Sequence, residues 1–352
     1  MQDVRMDSHK LIYHPRRVAD WLEGKLIYPI EVEIGLSGGC NHRCIFCAVD
    51  YMEYKPHLLK LDVLLPNLQI MERHGLKSVI YAGEGEPFTN PQIAEIVNGT
   101  KALGIDAALS TNGVFFSSEK IKSCLRSLTW VRYSVSAITD ATYEKIHRCR
   151  QGDLQRVLCN MEEAVRVKRD ESLPVTLGVQ MLLLPDNRDE VVALAQTMKK
   201  IGLDYFTVKP FSQHPSAQAK LQVDYSTAGE IKQQLEELET ENFKVYFRSQ
   251  SIENLEVQKP YSECHGVNFM AYITADGDVY PCIAFMGRSD YIYGNINEQH
   301  FDDIWQSERA DKIRGLFQDE FIHKYCRKSC RLDEINKYLH GLKHPGTHVN
   351  FI

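Results

Sequence analysis

No segment of this 352-residue sequence approaches the roughly 20 consecutive apolar residues that a bilayer-spanning helix needs, so a membrane protein is not expected. The first residues, MQDVRMDSHKLIYHPRRV, carry charges throughout and lack the apolar stretch and small-residue cleavage site of a secretory signal. A cytoplasmic location follows as the expectation. Basic residues are fewer than acidic ones, 41 against 47, and they are dispersed instead of gathered into a stripe. That excludes nucleic acid held through its phosphates as an expected partner. Low-complexity tracts are also missing, as are long repeats beyond a recurring strand–helix unit.

Cysteine, by contrast, is plentiful. Ten cysteines in a chain with no export signal point to metal ligation or catalysis, because cytosolic thiols stay reduced. Their placement depends on the fold. β-Branched runs occur at 30–36, 78–83, 106–111, 130–137, 175–184 and 205–210, and between them lie amphipathic helical patterns at 61–74, 93–103, 154–167 and 190–201. Six parallel strands with crossover helices are expected, either as a partial (βα)6 barrel of the TIM type or as a doubly wound open sheet. After a further helix around 226–241 the rhythm changes to a strand-like KVYFRS, a hairpin FMAYITADGDVYPC turning at Asp276-Gly277, and a helix FDDIWQSERADKIRGLF. The expected division is an N-terminal cap at 1–27, an α/β barrel at 28–241 and a small α+β module at 242–352.

Two cysteine sets stand out. Cys40-x3-Cys44-x2-Cys47 follows the first strand on a loop opened by Gly38 and Gly39. Three thiolates at this spacing suit three irons of a [4Fe–4S] cluster and leave the fourth iron open. Zinc is the alternative, but it would need a fourth nearby ligand, and His42 lies at no familiar zinc spacing. The second set is Cys264 and Cys282, flanking the hairpin, with Cys326-x3-Cys330. Its four thiolates could close a zinc ribbon or an iron–sulfur centre.

CxxxCxxC with Phe46 before its last cysteine resembles the signature of the radical S-adenosylmethionine (SAM) superfamily. The resemblance implies that SAM chelates the open iron and is cleaved to a 5′-deoxyadenosyl radical, with a flavodoxin or ferredoxin as reducing partner. It further implies that Phe46 lies against the adenine and that AGEGEP at 82–87 matches the family's GGEP element. Glu84 replaces the first glycine there and leaves Gly85 and Glu86 as the SAM-facing residues. Ser110 and Asn112 resemble the pair that meets the ribose, Ser134 the serine near the methionyl carboxylate, and Arg148 an arginine that reaches SAM or substrate. The C-x12-G-x4-C pattern followed by a cysteine pair resembles the twitch or SPASM appendage of the same superfamily. With four cysteines instead of seven, it implies one auxiliary [4Fe–4S] cluster.

Three functions remain open on these residues. The first is oxidation of a small polyhydroxylated or sugar-like substrate, as in the twitch-bearing dehydrogenases of aminoglycoside biosynthesis, with Lys209 or His214 as base and the auxiliary cluster as electron acceptor. The second is modification of a peptide substrate; fewer than forty residues precede Cys40, which is short for a leader-binding domain. The third is a non-catalytic iron–sulfur carrier. Epimerisation is the rival to oxidation, with Cys149 as hydrogen-atom donor. Cys124 and Cys159 read as apolar packing residues.

Overall fold

The computed structural model describes residues 8–318 and 320–351. Ten strands form one open sheet: β1 (Glu31–Gly35), β2 (Ser78–Ala82), β3 (Asp106–Thr111), β4 (Leu128–Ser134), β5 (Thr176–Leu183), β6 (Tyr205–Pro210), β7 (Lys244–Phe247), β8 (Met270–Ile273), β9 (Asp278–Tyr280) and β10 (Gly294–Asn295). Their order is β10-β9-β8-β1-β2-β3-β4-β5-β6-β7. From β1 to β7 the order never reverses and every neighbour is parallel. A doubly wound sheet needs a reversal at its switch point. Consecutive winding instead sends all crossovers to one face, as in a partial barrel.

Side-chain alternation separates the two faces. Val79, Tyr81, Leu109, Val131, Tyr133, Val179 and Phe206 bury against the crossover helices in the main core. On the opposite face, Ile80, Ala82 and Ala108 pack with Trp130 as a separate apolar cluster. Ser110, Arg132, Ser134, Gln180 and Lys209 share the inner parity, and all are half-buried.

Three features differ from the sequence expectation. The change of rhythm places KVYFRS in the small module, yet it forms β7, a seventh parallel strand beside β6. The hairpin strand β8 pairs parallel with β1, so the cysteine hairpin extends the main sheet at its other edge. Gly277 permits the hairpin turn at φ +86°, a conformation side chains disfavour. The expected long helix at 301–317 is two short ones, Phe301–Trp305 and Glu308–Arg314, because the Ser307 hydroxyl accepts from Ala310 N–H and starts a new helix. The N-terminal segment packs Leu11, Val18, Ile27 and Ile30 against Phe269 and Leu339, and Arg17 donates to His74 O at 2.9 Å. It therefore covers the end from which the parallel strands start.

Candidate functional site

The first cysteine loop leaves β1 at the C-terminal mouth of the sheet and is held from three sides. Arg43 N–H and Ile45 N–H donate to the His147 and Ile146 carbonyls at 3.0 and 2.9 Å, which seats the loop on the end of helix Asp140–His147. Glu86 N–H donates to Gly39 O at 2.9 Å. Asn112 Nδ2 donates to Asn41 Oδ1 at 2.7 Å. A Cβ at Gly85 would stand 2.3 Å from Gly39 O and 2.4 Å from Ser37 O, so only glycine lets the end of β2 approach this loop.

Each sulfur of the first set has a donor. His42 N–H reaches Cys40 Sγ at 3.4 Å, the Tyr54 hydroxyl bonds Cys47, and His147 Nδ1 lies 3.3 Å from Cys44 Sγ. The Ser136 N–H donates to His147 Nε2 at 3.2 Å, so that nitrogen carries no proton. Burial, with the neighbouring His42, pushes the His147 pKa down to about 3, so the ring is neutral with its hydrogen on Nδ1. His147 therefore donates to the Cys44 sulfur. Burial pushes the Cys40 thiol up to about 12 and the Cys44 thiol well above its usual value. Such thiols ionise when a metal takes the thiolate.

Cys264, Cys282, Cys326 and Cys330 meet behind the β8–β9 hairpin. Burial raises all four pKa values, and charge on their neighbouring sulfurs adds to it for Cys264, Cys282 and Cys326. Asn336 Nδ2, Ala284 N–H and Leu332 N–H aim at Cys264, Cys282 and Cys330 sulfur at 3.2, 3.4 and 3.4 Å. Among the described residues, neither set is found as a group whose ligand atoms all lie within 4.8 Å of one another. One tetrahedral zinc with Zn–S of about 2.3 Å would draw its sulfurs to roughly 3.8 Å. Both donor sets consist of thiols alone, the ligand chemistry of an iron–sulfur cluster.

The strand ends modify the expectations for single residues. Glu86 is buried and its carboxylate is fully engaged: Thr111 Oγ1 and Phe88 N–H donate to Oε1 at 2.6 and 3.1 Å, and Asn112 N–H to Oε2 at 2.8 Å. It braces β3 against the cluster loop. The Asn112 amide is likewise spent, its oxygen accepting from Val114 N–H at 3.0 Å. Glu84 accepts from Ala275 N–H and so ties β2 to the hairpin, beside a cavity of about 280 Å³ lined by Tyr51, His57, Asp276, Asp278 and Tyr280. Burial raises its pKa to about 7. Ser110 and Ser134 lie on the inner face of the sheet, and the Phe46 ring stands edge-on to His147 at 5.5 Å.

Three expected residues stand elsewhere. Arg148 is exposed, with a left-handed backbone that ends helix Asp140–His147. Cys149 groups with His42 and Asp153 on the helical side of the cluster loop, away from the inner face, and its thiol is pushed up to about 11 by burial first and by Asp153. His214 is not available as a base. Its Nδ1 accepts from Ser216 N–H at 3.1 Å and its Nε2 meets Ile283 O at 3.3 Å, while burial lowers its pKa to about 4. Lys209 does point into the inner face. Burial first, then the charges of Arg327, Arg248, Arg132 and Arg331, hold its pKa well below the lysine range.

The profile of the Radical SAM superfamily matches residues 34–198, and that of an iron–sulfur cluster-binding domain, SPASM, matches residues 264–331. The chain carries a radical SAM domain and a SPASM domain. It is 27% identical over 267 residues to a probable GTP 3′,8-cyclase of Saccharolobus solfataricus, covering 72% of this chain and 83% of that one. It is 24% identical over 316 residues to the tungsten-containing aldehyde ferredoxin oxidoreductase cofactor-modifying protein of Pyrococcus furiosus, covering 83% and 84%. Among solved structures, SuiB of Streptococcus suis bound to S-adenosylmethionine superposes with a TM-score of 0.67 at 16% identity, over 87% of this chain and 72% of that one. The radical SAM domain brings a [4Fe–4S] cluster and SAM, and the SPASM domain brings an auxiliary iron–sulfur cluster. No described helix is long and apolar enough to cross a membrane.

Sequence reasoning missed His147, Arg132 and Arg327. His147 lies 103 residues from Cys44, and nothing local marks it as a partner of the loop.

Proposed function

We propose that this radical SAM enzyme oxidises a small polyhydroxylated substrate held against the inner face of the sheet, with Lys209 as base. Cys40, Cys44 and Cys47 hold the SAM-binding cluster, and Cys264, Cys282, Cys326 and Cys330 hold the auxiliary one. With SAM bound and an electron supplied by a flavodoxin or ferredoxin, the first cluster provides the 5′-deoxyadenosyl radical that removes one hydrogen atom from a carbinol carbon. Phe46, Ser110 and Ser134 line the SAM side of the mouth, while Gly85, Glu86 and Asn112 hold the loop in register.

The position of Lys209 carries this reading. Its desolvated amine can take the hydroxyl proton, as alcohol oxidation requires. The segment after β6 is bonded to the second cysteine set: Ser212 Oγ donates to Ser329 O at 3.1 Å, Arg327 donates to Ser212 O at 2.8 Å, and His214 meets Ile283 O. A cluster held by those four cysteines would supply an electron acceptor one segment away. An alcohol oxidation so arranged would balance as one hydrogen atom to deoxyadenosine, one proton to Lys209 and one electron to a cluster at that site. The names of the two curated relatives, a GTP cyclase and a cofactor-modifying protein, agree with a small-molecule substrate.

Mass spectrometry of products formed in D2O tests the reading. A carbonyl product lighter by two hydrogens supports it. A product at unchanged oxidation level carrying solvent deuterium, or a modified peptide, replaces it.

A further inference from the structure

Resting on the placement of the substrate against the inner face, the geometry points to the chemical class of that substrate: it bears an oxyanion, a carboxylate or phosphate group, which Arg132 and Arg327 grip near Lys209. Arg132 leaves the middle of β4 on the inner face, between Trp130 and Ser134. Its Nη2 donates to Ser110 Oγ at 3.4 Å, and its Nε is enclosed with no partner. Arg327 reaches the same region from the second cysteine segment. Its Nη2 donates to a neutral carbonyl, Ser212 O, and its Nε is also enclosed and without a partner.

The acids nearby are already committed. Arg331 is paired with both Glu31 and Glu33, and Tyr272 donates to Glu33 at 2.7 Å. Among the described residues, no carboxylate pairs with Arg132, Arg327 or Lys209. Cationic groups enclosed even in part without counter-charge are costly, and an anion lying between them removes that cost. The depressed pKa of Lys209 reports the same uncompensated field. Guanidinium groups also supply the right geometry, since their paired N–H donors match the two oxygens of a carboxylate or phosphate.

Arg327 follows Cys326 and also faces the thiolates of the second site. Arg132 and Lys209 lie on strands that carry no cluster cysteine, so the cluster gives no reason for their charge. With the oxyanion on the two arginines, the Lys209 amine is left for the hydroxyl. The class is then a polyhydroxylated acid or its phosphate ester.

Equilibrium binding to the anaerobic holoenzyme, with both clusters in place and no turnover, tests this directly. The probes are gluconate, glucose 6-phosphate and sorbitol. Saturable binding of one or both anions, with sorbitol at least about tenfold weaker, is expected. The anion that binds tells carboxylate from phosphate. Arg132→Gln should weaken anion binding by roughly tenfold or more while keeping full iron at both sites. Equal binding of sorbitol, no binding of any probe, or unchanged anion affinity in Arg132→Gln would overturn the proposal. If Arg132→Gln loses iron, Arg132→Lys decides: it keeps the charge but not the paired donors, and should bind the anion measurably more weakly than the parent. Because no product is formed, failure here leaves the oxidation reading standing, and a product at unchanged oxidation level leaves the anion grip standing.

Discussion

His147 Nδ1 lies 3.3 Å from Cys44 Sγ, while the Ser136 N–H, at 3.2 Å from Nε2, fixes the ring so that Nδ1 carries the hydrogen. A hydrogen bond to a cluster thiolate stabilises the reduced, more negative state and raises the potential. His147→Phe should therefore lower the midpoint of the SAM-binding cluster by about 60 mV, the one-electron equivalent of roughly 1.4 kcal/mol. His147→Gln, which keeps a donor, should recover part of the shift. Redox titration followed by electron paramagnetic resonance measures both.

Gly85→Ala should remove the SAM-site cluster selectively. The new methyl group would meet Gly39 O and Ser37 O, which are backbone atoms of the loop itself and cannot rotate aside. About half of the iron should remain, bound at the auxiliary site, and SAM cleavage should be lost. Anaerobic iron analysis with a SAM-cleavage assay reads the outcome.

Lys209→Met should lower product formation by roughly 10²- to 10⁴-fold, the usual share of a positioned base. Uncoupled cleavage of SAM should continue, because Lys209 does not touch the cysteine loop. Lys209→Arg should not rescue the product, since a guanidinium stays protonated. Cys149→Ala should keep product formation, as its thiol stands on the helical side of the loop beside His42 and Asp153.

His214 imposes an acid sensitivity. Its pKa is about 4 in the folded protein against about 6.5 when unfolded. Above pH 6.5 the ring is neutral in both states. As pH falls from 6.5 towards 4 the unfolded chain takes up a proton that the folded one does not, and stability drops. Between pH 7.5 and 6 this amounts to roughly 1 kcal/mol. Denaturant midpoints at the two pH values should differ by that much for the parent and by less for His214→Gln.

Local spacing made the cysteine sets and the strand–helix alternation legible, because Cys40, Cys44 and Cys47 occupy one short loop and each parallel strand carries its own hydrophobic run. Relations across the sheet were hidden. VRYS alternates, yet nothing in it says that the Arg132 face lines the interior instead of the helical layer. The Asp276-Gly277 turn announced a self-contained hairpin and gave no sign that β8 would pair parallel with β1. His214 looked like a free base because its two partners, Ser216 N–H and Ile283 O, are backbone groups that no side-chain pattern records. Glu86 matched a family motif, but its bracing of Thr111 and Asn112 depends on how closely β2 and β3 approach the loop.

The central claim is two separate clusters, of which only the first, on Cys40, Cys44 and Cys47, cleaves SAM. Iron and sulfide analysis with a SAM-cleavage assay, on the parent and on a Cys40/Cys44/Cys47 triple alanine variant, tests it most directly. The parent should hold about eight iron and eight sulfide per chain, and the variant about four of each with no SAM cleavage. A variant that still cleaves SAM, or that loses all of its iron, would contradict it.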